Sequence, residues 1–298
     1  MRRLLTVGFV PSVLFVTCVW VLLRADSYGG RSDWGSALPS SSGDWTGNLL
    51  GIAACASLLA LLLHPFQVRA VRVLEGYWDR WPATAGLAGV LVAIQRRRHH
   101  ALRARASRTG PVAADARRRL ATRPPVDVLL PTALGNALRF GEITAGERYG
   151  LTTLSSWPRI YMQVSDRMAQ ALRSTRDALD TSVNLCWSFL SAATVLGIGL
   201  SDEPGVRWLF APVLGLAAVA YKGAVIAAQA YSGLMHVVFD LHRFDLLEAL
   251  HHRLPAERKD EREAFARVSH LFSGHGVPDL PYEHGAWRGS CADDAAKP

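Results

Sequence analysis

The amino-acid sequence predicts an all-α integral membrane protein with four transmembrane helices in two hairpins and a helical cytoplasmic region. The first observation is four long apolar runs, at residues 4–23, 46–63, 184–200 and 208–228. A helix needs about 20 apolar residues to cross a hydrocarbon core of about 30 Å. The second is charge, because 19 of the 33 Lys and Arg residues lie between residues 64 and 183. The third is helical spacing of apolar residues outside the runs.

The distribution of basic residues predicts the orientation. Lys and Arg that flank membrane spans stay on the cytoplasmic side. We therefore expect both termini and residues 64–183 in the cytoplasm of a multi-pass plasma membrane protein, with the loops at 24–45 and 201–207 outside. The alternative, a cleaved signal peptide at the N-terminus, fits less well because the first apolar run is long and no clear small-x-small cleavage pattern precedes Ser27.

These boundaries predict four regions. They are a first transmembrane hairpin (1–63), a basic helical cytoplasmic region (64–183), a second transmembrane hairpin (184–228), and a cytoplasmic helix with a flexible tail (229–298). Pro11 in the first run predicts a kink in that helix, packed against another helix. Membrane helices tolerate proline where a neighbouring group hydrogen-bonds to the carbonyl oxygen that the proline leaves unpaired. No cysteine pair has metal-ligand spacing.

The basic region begins with an expected amphipathic helix over residues 67–81, whose Trp78 and Trp81 suit the water–lipid boundary. Residues 83–94 are apolar but too few to span, so their entry into the membrane stays open. Arg96, Arg97 and Arg98 follow. No aromatic residue occurs from 95 to 125, which disfavours single-stranded nucleic acid. We expect these two tryptophans and three arginines to contact the anionic headgroups of the inner leaflet.

Further helices are predicted along the rest of the chain. Thr132 is a candidate N-cap for a helix to Glu142. Residues 146–158 contain Gly146, Gly150 and Pro158 and predict a loop. The pattern from 166 to 183 runs unbroken into the third span, and the fourth span continues to 254, just before a proline. A short helix at 258–272 precedes the tail.

Several short motifs carry a resemblance. They are LEGYW at 74–78, LPTALGNALR at 130–139, ERYGL at 147–151, WPR at 157–159 and RDALD at 176–180. Together they resemble a group of uncharacterised actinobacterial multi-pass membrane proteins, over roughly residues 68–190. The resemblance implies a membrane topology and no reaction. The sequence departs from the expected pattern at Ala133, where a basic residue is expected.

Lys222 is the strongest candidate for a membrane-path residue. A cation in the hydrocarbon region costs at least about 2.5–3.5 kcal/mol, so it must snorkel to the interface, pair, or line a polar path. Asn184 and Ser188 in the third span could join it. In a symmetric oligomer a ring of Lys222 side chains would favour anions.

No catalytic residues, cofactor or metal site are predicted. His236 and Asp240 lie four residues apart, but no HExxH motif occurs, and the polar face of an amphipathic helix is the simpler interpretation. Glu147 is expected to pair with an arginine. No GxSxG motif or phosphate-cradling glycine loop is present.

The sequence therefore predicts a non-enzymatic, homo-oligomeric, channel- or pore-like membrane protein with a cytoplasmic regulatory region. The alternative is a membrane-anchored scaffold or sensor that binds a cytoplasmic protein partner. A membrane enzyme acting on lipid headgroups would require a convergent polar cluster at the inner face.

Overall fold

A computed structural model describes residues 5–29, 32–35, 42–78, 82–274 and 282. These residues are predominantly helical, and no β-strand occurs among them; His252 and Tyr282 form an isolated antiparallel bridge. The all-α prediction is confirmed. The helices are α1 (Val10–Arg24), α2 (Ser42–Leu63), α3 (Gln67–Glu75), α4 (Pro82–Ala106), α5 (Pro111–Ala121), α6 (Ala133–Thr144), α7 (Thr153–Tyr161), α8 (Asp166–Gly199), α9 (Phe210–Ala249) and α10 (Arg258–Ser273).

Four helical segments of the described chain are long and apolar enough to cross a membrane. They are Val7–Arg24, Gly43–Glu75, Asp166–Gly199 and Arg207–Ala249. Many of their large apolar side chains face outward: Leu50 is 67% exposed and Val219 is 69% exposed. Apolar surface on this scale is unusual for a soluble protein and fits a membrane protein.

The described residues form two compact units. Unit 1 lies within Met1–Phe140 and Ala171–Tyr231, and unit 2 within Gly141–Gln170 and Ser232–Pro298. In unit 1, α1 contacts α2 and α4 contacts α5. Its core joins side chains of α3, α6, α8 and α9, namely Val71, Leu134, Ala137, Leu138, Leu179, Val183, Ala224, Val225 and Ala228.

Unit 2 is built on aromatic packing. Trp157 of α7 stacks on Phe239 of α9, with 6.2 Å between ring centroids. Phe244 lies against Phe265 of α10 at 6.0 Å. The guanidinium of Arg159 lies 3.9 Å from the ring centroid of Phe272, as in a cation–π interaction. These contacts bury the apolar faces of α7 and α10.

The continuous helices predicted through the third and fourth spans are confirmed as α8 and α9, although α9 ends at Ala249 rather than at 254. Two other predicted boundaries are wrong. The helix expected over 67–81 ends at Glu75, because Gly76 adopts the left-handed conformation with φ of 93°. The loop expected over 146–158 contains a 3₁₀ turn at Glu147–Tyr149 and the start of α7, which accommodates Pro158.

Candidate functional site

Polar side chains recur at four-residue intervals along α8. Arg176, Asp180, Asn184 and Ser188 each lie one turn beyond the previous one, so they share one side of the helix. Polar residues on a helix that is apolar enough to span a membrane typically face the protein interior or a water-filled cavity. We call these four residues the polar stripe.

The polar stripe lines a cavity of about 540 Å³ within unit 1. The opposite wall is largely apolar and comes from the first two candidate spans, with Val7, Pro11, Phe15, Leu59 and Leu63 among its residues. His64 and Gln67 add polar groups where α2 passes into α3. A mostly apolar cavity with one line of polar groups fits a small amphipathic or partly hydrated solute.

Asn184 donates a hydrogen bond to the start of the first helical segment. Pro11 has no N–H, so it cannot donate to the carbonyl oxygen of Val7, four residues earlier. The Nδ2 atom of Asn184 donates to that oxygen at 2.8 Å. The preceding turn, Leu5–Phe9, is a π-helix, a geometry often found where a helix is interrupted at a functional site.

An ion pair occupies the beginning of the polar stripe. The Nε atom of Arg176 lies 3.3 Å from Oδ1 of Asp180, whose side chain is only 4% exposed. Burying a carboxylate is costly unless a cation compensates it, and Arg176 supplies that charge. Gln67 Nε2 donates to the backbone oxygen of Asp180 at 3.5 Å, and Trp187 Nε1 donates to the backbone oxygen of Ala70 at 3.2 Å. These bonds connect α3 to α8 beside the cavity.

Lys222 lies apart from the cavity. It is exposed on α9, and Val219 and Ile226, at i−3 and i+4, are exposed on the same side of the helix. The structure therefore brings Asn184 and Ser188 together on one cavity and leaves Lys222 on an outward apolar face.

The predicted inner-leaflet residues also lie in separate places. Arg96, Arg97 and Arg98 are exposed on α4. Trp78 is half-buried, and its Nε1 donates to the backbone oxygen of Val73 at 2.7 Å, while Thr84 Oγ1 donates to the Trp78 backbone oxygen. Thr84 and Arg96 are about 18 Å apart along the helix axis, from the helical rise. Trp81 lies outside the described residues.

The LEGYW and LPTALGNALR motifs meet each other in unit 1. Thr132 is confirmed as the N-cap of α6, because its Oγ1 accepts from the Gly135 N–H at 3.0 Å. The same hydroxyl donates to the backbone oxygen of Glu75 at 2.8 Å. Asn136 exchanges hydrogen bonds with both backbone groups of Leu130. These motif residues therefore organise a helix junction.

The ERYGL motif makes polar contacts within unit 2. The expected pairing of Glu147 with an arginine is wrong: its carboxylate accepts from the Thr153 backbone N–H at 3.1 Å and from the Thr153 hydroxyl at 2.6 Å. Arg148 instead pairs with Asp240, which also accepts from the Tyr149 hydroxyl at 2.5 Å. Burial, together with this hydrogen bond to Asp240, raises the pKa of Tyr149.

His236 and Asp240, the pair considered for metal binding, have other partners. The two ring nitrogens of His236 contact Thr144 Oγ1 at 2.9 Å and the Ser232 backbone oxygen at 2.7 Å. Across the described part of the chain, no group of three or more His, Cys, Asp or Glu side chains could hold a metal ion.

Arg176 and Asp180 belong to the RDALD motif and were not among the predicted site residues. The four-residue spacing that continues from this pair to Asn184 and Ser188 was the available signal. Comparison of the chain with protein-family models, curated proteins and solved structures gave no match.

Proposed function

We propose that this protein is a multi-pass integral membrane protein that acts as a channel-like element, with the polar stripe as part of its solute path. One observation carries the proposal: four polar side chains line a single cavity along a helix that is long and apolar enough to span a membrane. Hydrocarbon offers no partners to such groups, so a wetted path is the environment that suits them. No catalytic step is part of this proposal.

The proposal includes assembly into a homo-oligomer in the plasma membrane, with both termini and the basic centre in the cytoplasm. Lys222 supports assembly, because a cation on the exposed apolar face of α9 must snorkel to the interface or be covered by a second copy. The arginine-rich centre supports the orientation.

Conductance of the full-length protein in planar lipid bilayers tests the proposed path. Ser188→Leu places an apolar side chain into the cavity. We expect it to lower single-channel conductance by about tenfold or more, because narrow apolar constrictions lose their water. Thr194→Leu is the matched control: Thr194 is exposed on the same helix and does not line the cavity.

Unchanged conductance in Ser188→Leu, or equal losses in both variants, would remove the path from the proposal. Lys222→Leu separates two roles for that residue. A change in anion selectivity would assign Lys222 to the conducting assembly, whereas normal conductance would leave it as a snorkelling side chain.

A membrane-anchored scaffold is the second candidate function, supported by a different observation in unit 2. A surface pocket of about 700 Å³ combines cations and carboxylates, with Arg148, Arg258, Lys259, Arg262, Glu261 and Glu263 among its residues. Such mixed charge suits a polar protein surface. Absence of conductance, together with cross-linking of a cytoplasmic protein to this pocket, would favour the scaffold.

A further inference from the structure

Helices α4 and α5 form a helical hairpin in unit 1. The two helices contact each other, and Gly110 adopts φ of 103° in the short turn between them. Arg117 stabilises the turn through two hydrogen bonds. Its Nε donates to the Ala106 backbone oxygen at 2.9 Å, and its Nη2 donates to the Arg108 backbone oxygen at 3.1 Å. Because antiparallel neighbours pair in reverse order, the end of α5 lies beside the middle of α4.

Cations from both helices converge there. Arg123 is half-buried, and its pKa is lowered by burial and by the charges of Arg98 and Arg119. The pKa of His99 is lowered by burial first, and then by its cationic neighbours, of which Arg123 is the strongest. In addition, the buried Nδ1 atom of His99 has no hydrogen-bond partner within the described residues. We call Arg98, His99, Arg103, Arg119 and Arg123 the cation cluster.

The charge of the cation cluster is poorly compensated. Asp115 pairs with Arg119 at 2.9 Å on the exposed surface. Across the described ranges, no ion pair involves Arg98, Arg103 or Arg123. Like charges held close together oppose folding, most strongly at the half-buried Arg123, and a bound anion removes that repulsion. Guanidinium groups suit phosphate especially well, since they bind its oxygens through paired N–H donors.

We propose that the α4–α5 hairpin is a binding site for a phosphate group, held by Arg98, Arg119 and Arg123 with His99 beside it. The ligand chemistry is a phosphate ester or free phosphate. Its source is the headgroup of an anionic phospholipid or a soluble phosphate compound. The proposal does not depend on conduction through the cavity, because the cation cluster and the polar stripe share no residue.

Isothermal titration of the full-length protein in a neutral detergent tests the site. The probes are inorganic phosphate, a short-chain phosphatidic acid and a short-chain phosphatidylcholine. We expect the double variant Arg98→Gln/Arg123→Gln to weaken phosphate-group binding by about tenfold or more, because it removes charge-assisted hydrogen bonds.

The matched control is Arg105→Gln/Arg118→Gln. It removes the same charge, one arginine from each helix of the hairpin, at exposed positions outside the cation cluster. We expect this control to change affinity by about twofold or less, the effect of a distant surface charge. Equal losses in the two double variants would show attraction to a generally basic surface and would overturn the proposal, as would no measurable binding of either inorganic phosphate or phosphatidic acid.

The probes separate the two sources. Tighter binding of phosphatidic acid than of inorganic phosphate, with weak binding of phosphatidylcholine, indicates a lipid headgroup. Comparable binding of phosphatidic acid and inorganic phosphate indicates a soluble phosphate compound. Preference for phosphatidylcholine would contradict an anion site.

Melting temperature provides a second readout that a purely structural role would not give. Without phosphate, Arg123→Gln relieves repulsion and is expected to raise the melting temperature while weakening binding, as at sites where function opposes stability. Arg123→Lys keeps the charge but loses the guanidinium fork, so affinity should fall without loss of fold. A stabilising phosphate effect that survives unchanged in Arg123→Gln and Arg123→Lys would exclude this residue as a ligand.

Discussion

At the scale of single residues, Asn184 illustrates how one side chain can serve two purposes. Its amide takes the place of the N–H that Pro11 lacks, through the 2.8 Å bond to the Val7 oxygen. It also contributes to the polar stripe in the cavity. A loss of function in an Asn184 variant therefore mixes a structural effect with any effect on the solute path, and Ser188 is the cleaner probe.

The structural role of Asn184 can be isolated with a double-mutant cycle. Asn184→Ala should destabilise the protein by about 0.6 kcal/mol, and at most about 1.7, the range for side-chain hydrogen bonds between membrane helices. Pro11→Ala restores a backbone donor for Val7, so Asn184→Ala should cost less in that background. Unfolding free energies of the four proteins in mixed micelles give the coupling, and strictly additive effects would argue against the rescue.

At the scale of elements, the junction of α3 and α6 depends on a close backbone approach. A Cβ atom on Gly135 would lie 2.0 Å from the Glu75 backbone oxygen. Only glycine permits this distance, and the hydrogen bond from Thr132 to the same carbonyl depends on it. The motif glycine therefore has a steric explanation.

Gly135→Ala should be strongly destabilising. The methyl group forces two backbones apart, and overpacking of this kind costs about 1–3 kcal/mol or more. Gly89→Ala in α4 is the control, since no atom lies within 4 Å of its added Cβ. That substitution should be neutral or slightly stabilising through helix propensity. Thermal unfolding in detergent compares the two, and equal melting temperatures would contradict the close approach.

The α4–α5 hairpin makes stability depend on pH. Burial, followed by the charges of Arg123, His100 and Arg103, lowers the pKa of His99 below its ordinary value of 6.5. His99 therefore takes up a proton at a higher pH in the unfolded chain than in the folded chain. Stability should fall as the pH drops below about 6.5 and should be unaffected by this group at higher pH.

His99→Gln should flatten this decline. Melting temperatures measured on both sides of pH 6.5, in a buffer without phosphate, would check it. His270→Gln removes an imidazole exposed on α10 and should leave the decline in place. A wild-type melting temperature that does not change across this range, or a decline that persists in His99→Gln, would rule out His99 as the source.

At the scale of the whole molecule, four helical segments of the described chain carry far more exposed apolar surface than water tolerates. Lipid is the solvent that would suit these side chains, and in a membrane the arginines of the central region should remain on the cytoplasmic side. The four helices suggest a location in a membrane by their length and composition, whereas the proposed orientation rests on charge alone.

The orientation can be tested by introducing one cysteine at a time into a variant that has no other cysteine, and by measuring whether it is labelled from outside the cell. Asp202→Cys, in the short loop between α8 and α9, should react with a membrane-impermeant maleimide in intact cells. Arg105→Cys, near the end of α4, should react only after the cells are made permeable. The reverse pattern would invert the topology, and recovery of the protein in the aqueous fraction without detergent would remove the membrane assignment altogether.

Much of the fold could be predicted from local patterns. The apolar runs, the continuous α8 and α9, and the Thr132 cap are set by hydrophobic periodicity and capping, which involve neighbours a few residues apart. The ends at Glu75 and Ala249 were misplaced because periodicity does not report where a backbone turns. Glu147 was assigned an arginine because charge suggested one, whereas a neighbouring threonine supplies its hydrogen bonds.

By itself the sequence determined the all-helical class and the four apolar segments, because hydrophobic length and helical spacing are properties of consecutive residues. Only the tertiary structure decided that Asn184 and Ser188 share a cavity with Arg176 and Asp180, that Lys222 lies elsewhere, and that Arg98 and Arg123 converge. Those groupings depend on which helices pack together and on how each is rotated. The packing and the rotation of each helix are determined by contacts between residues far apart in the chain.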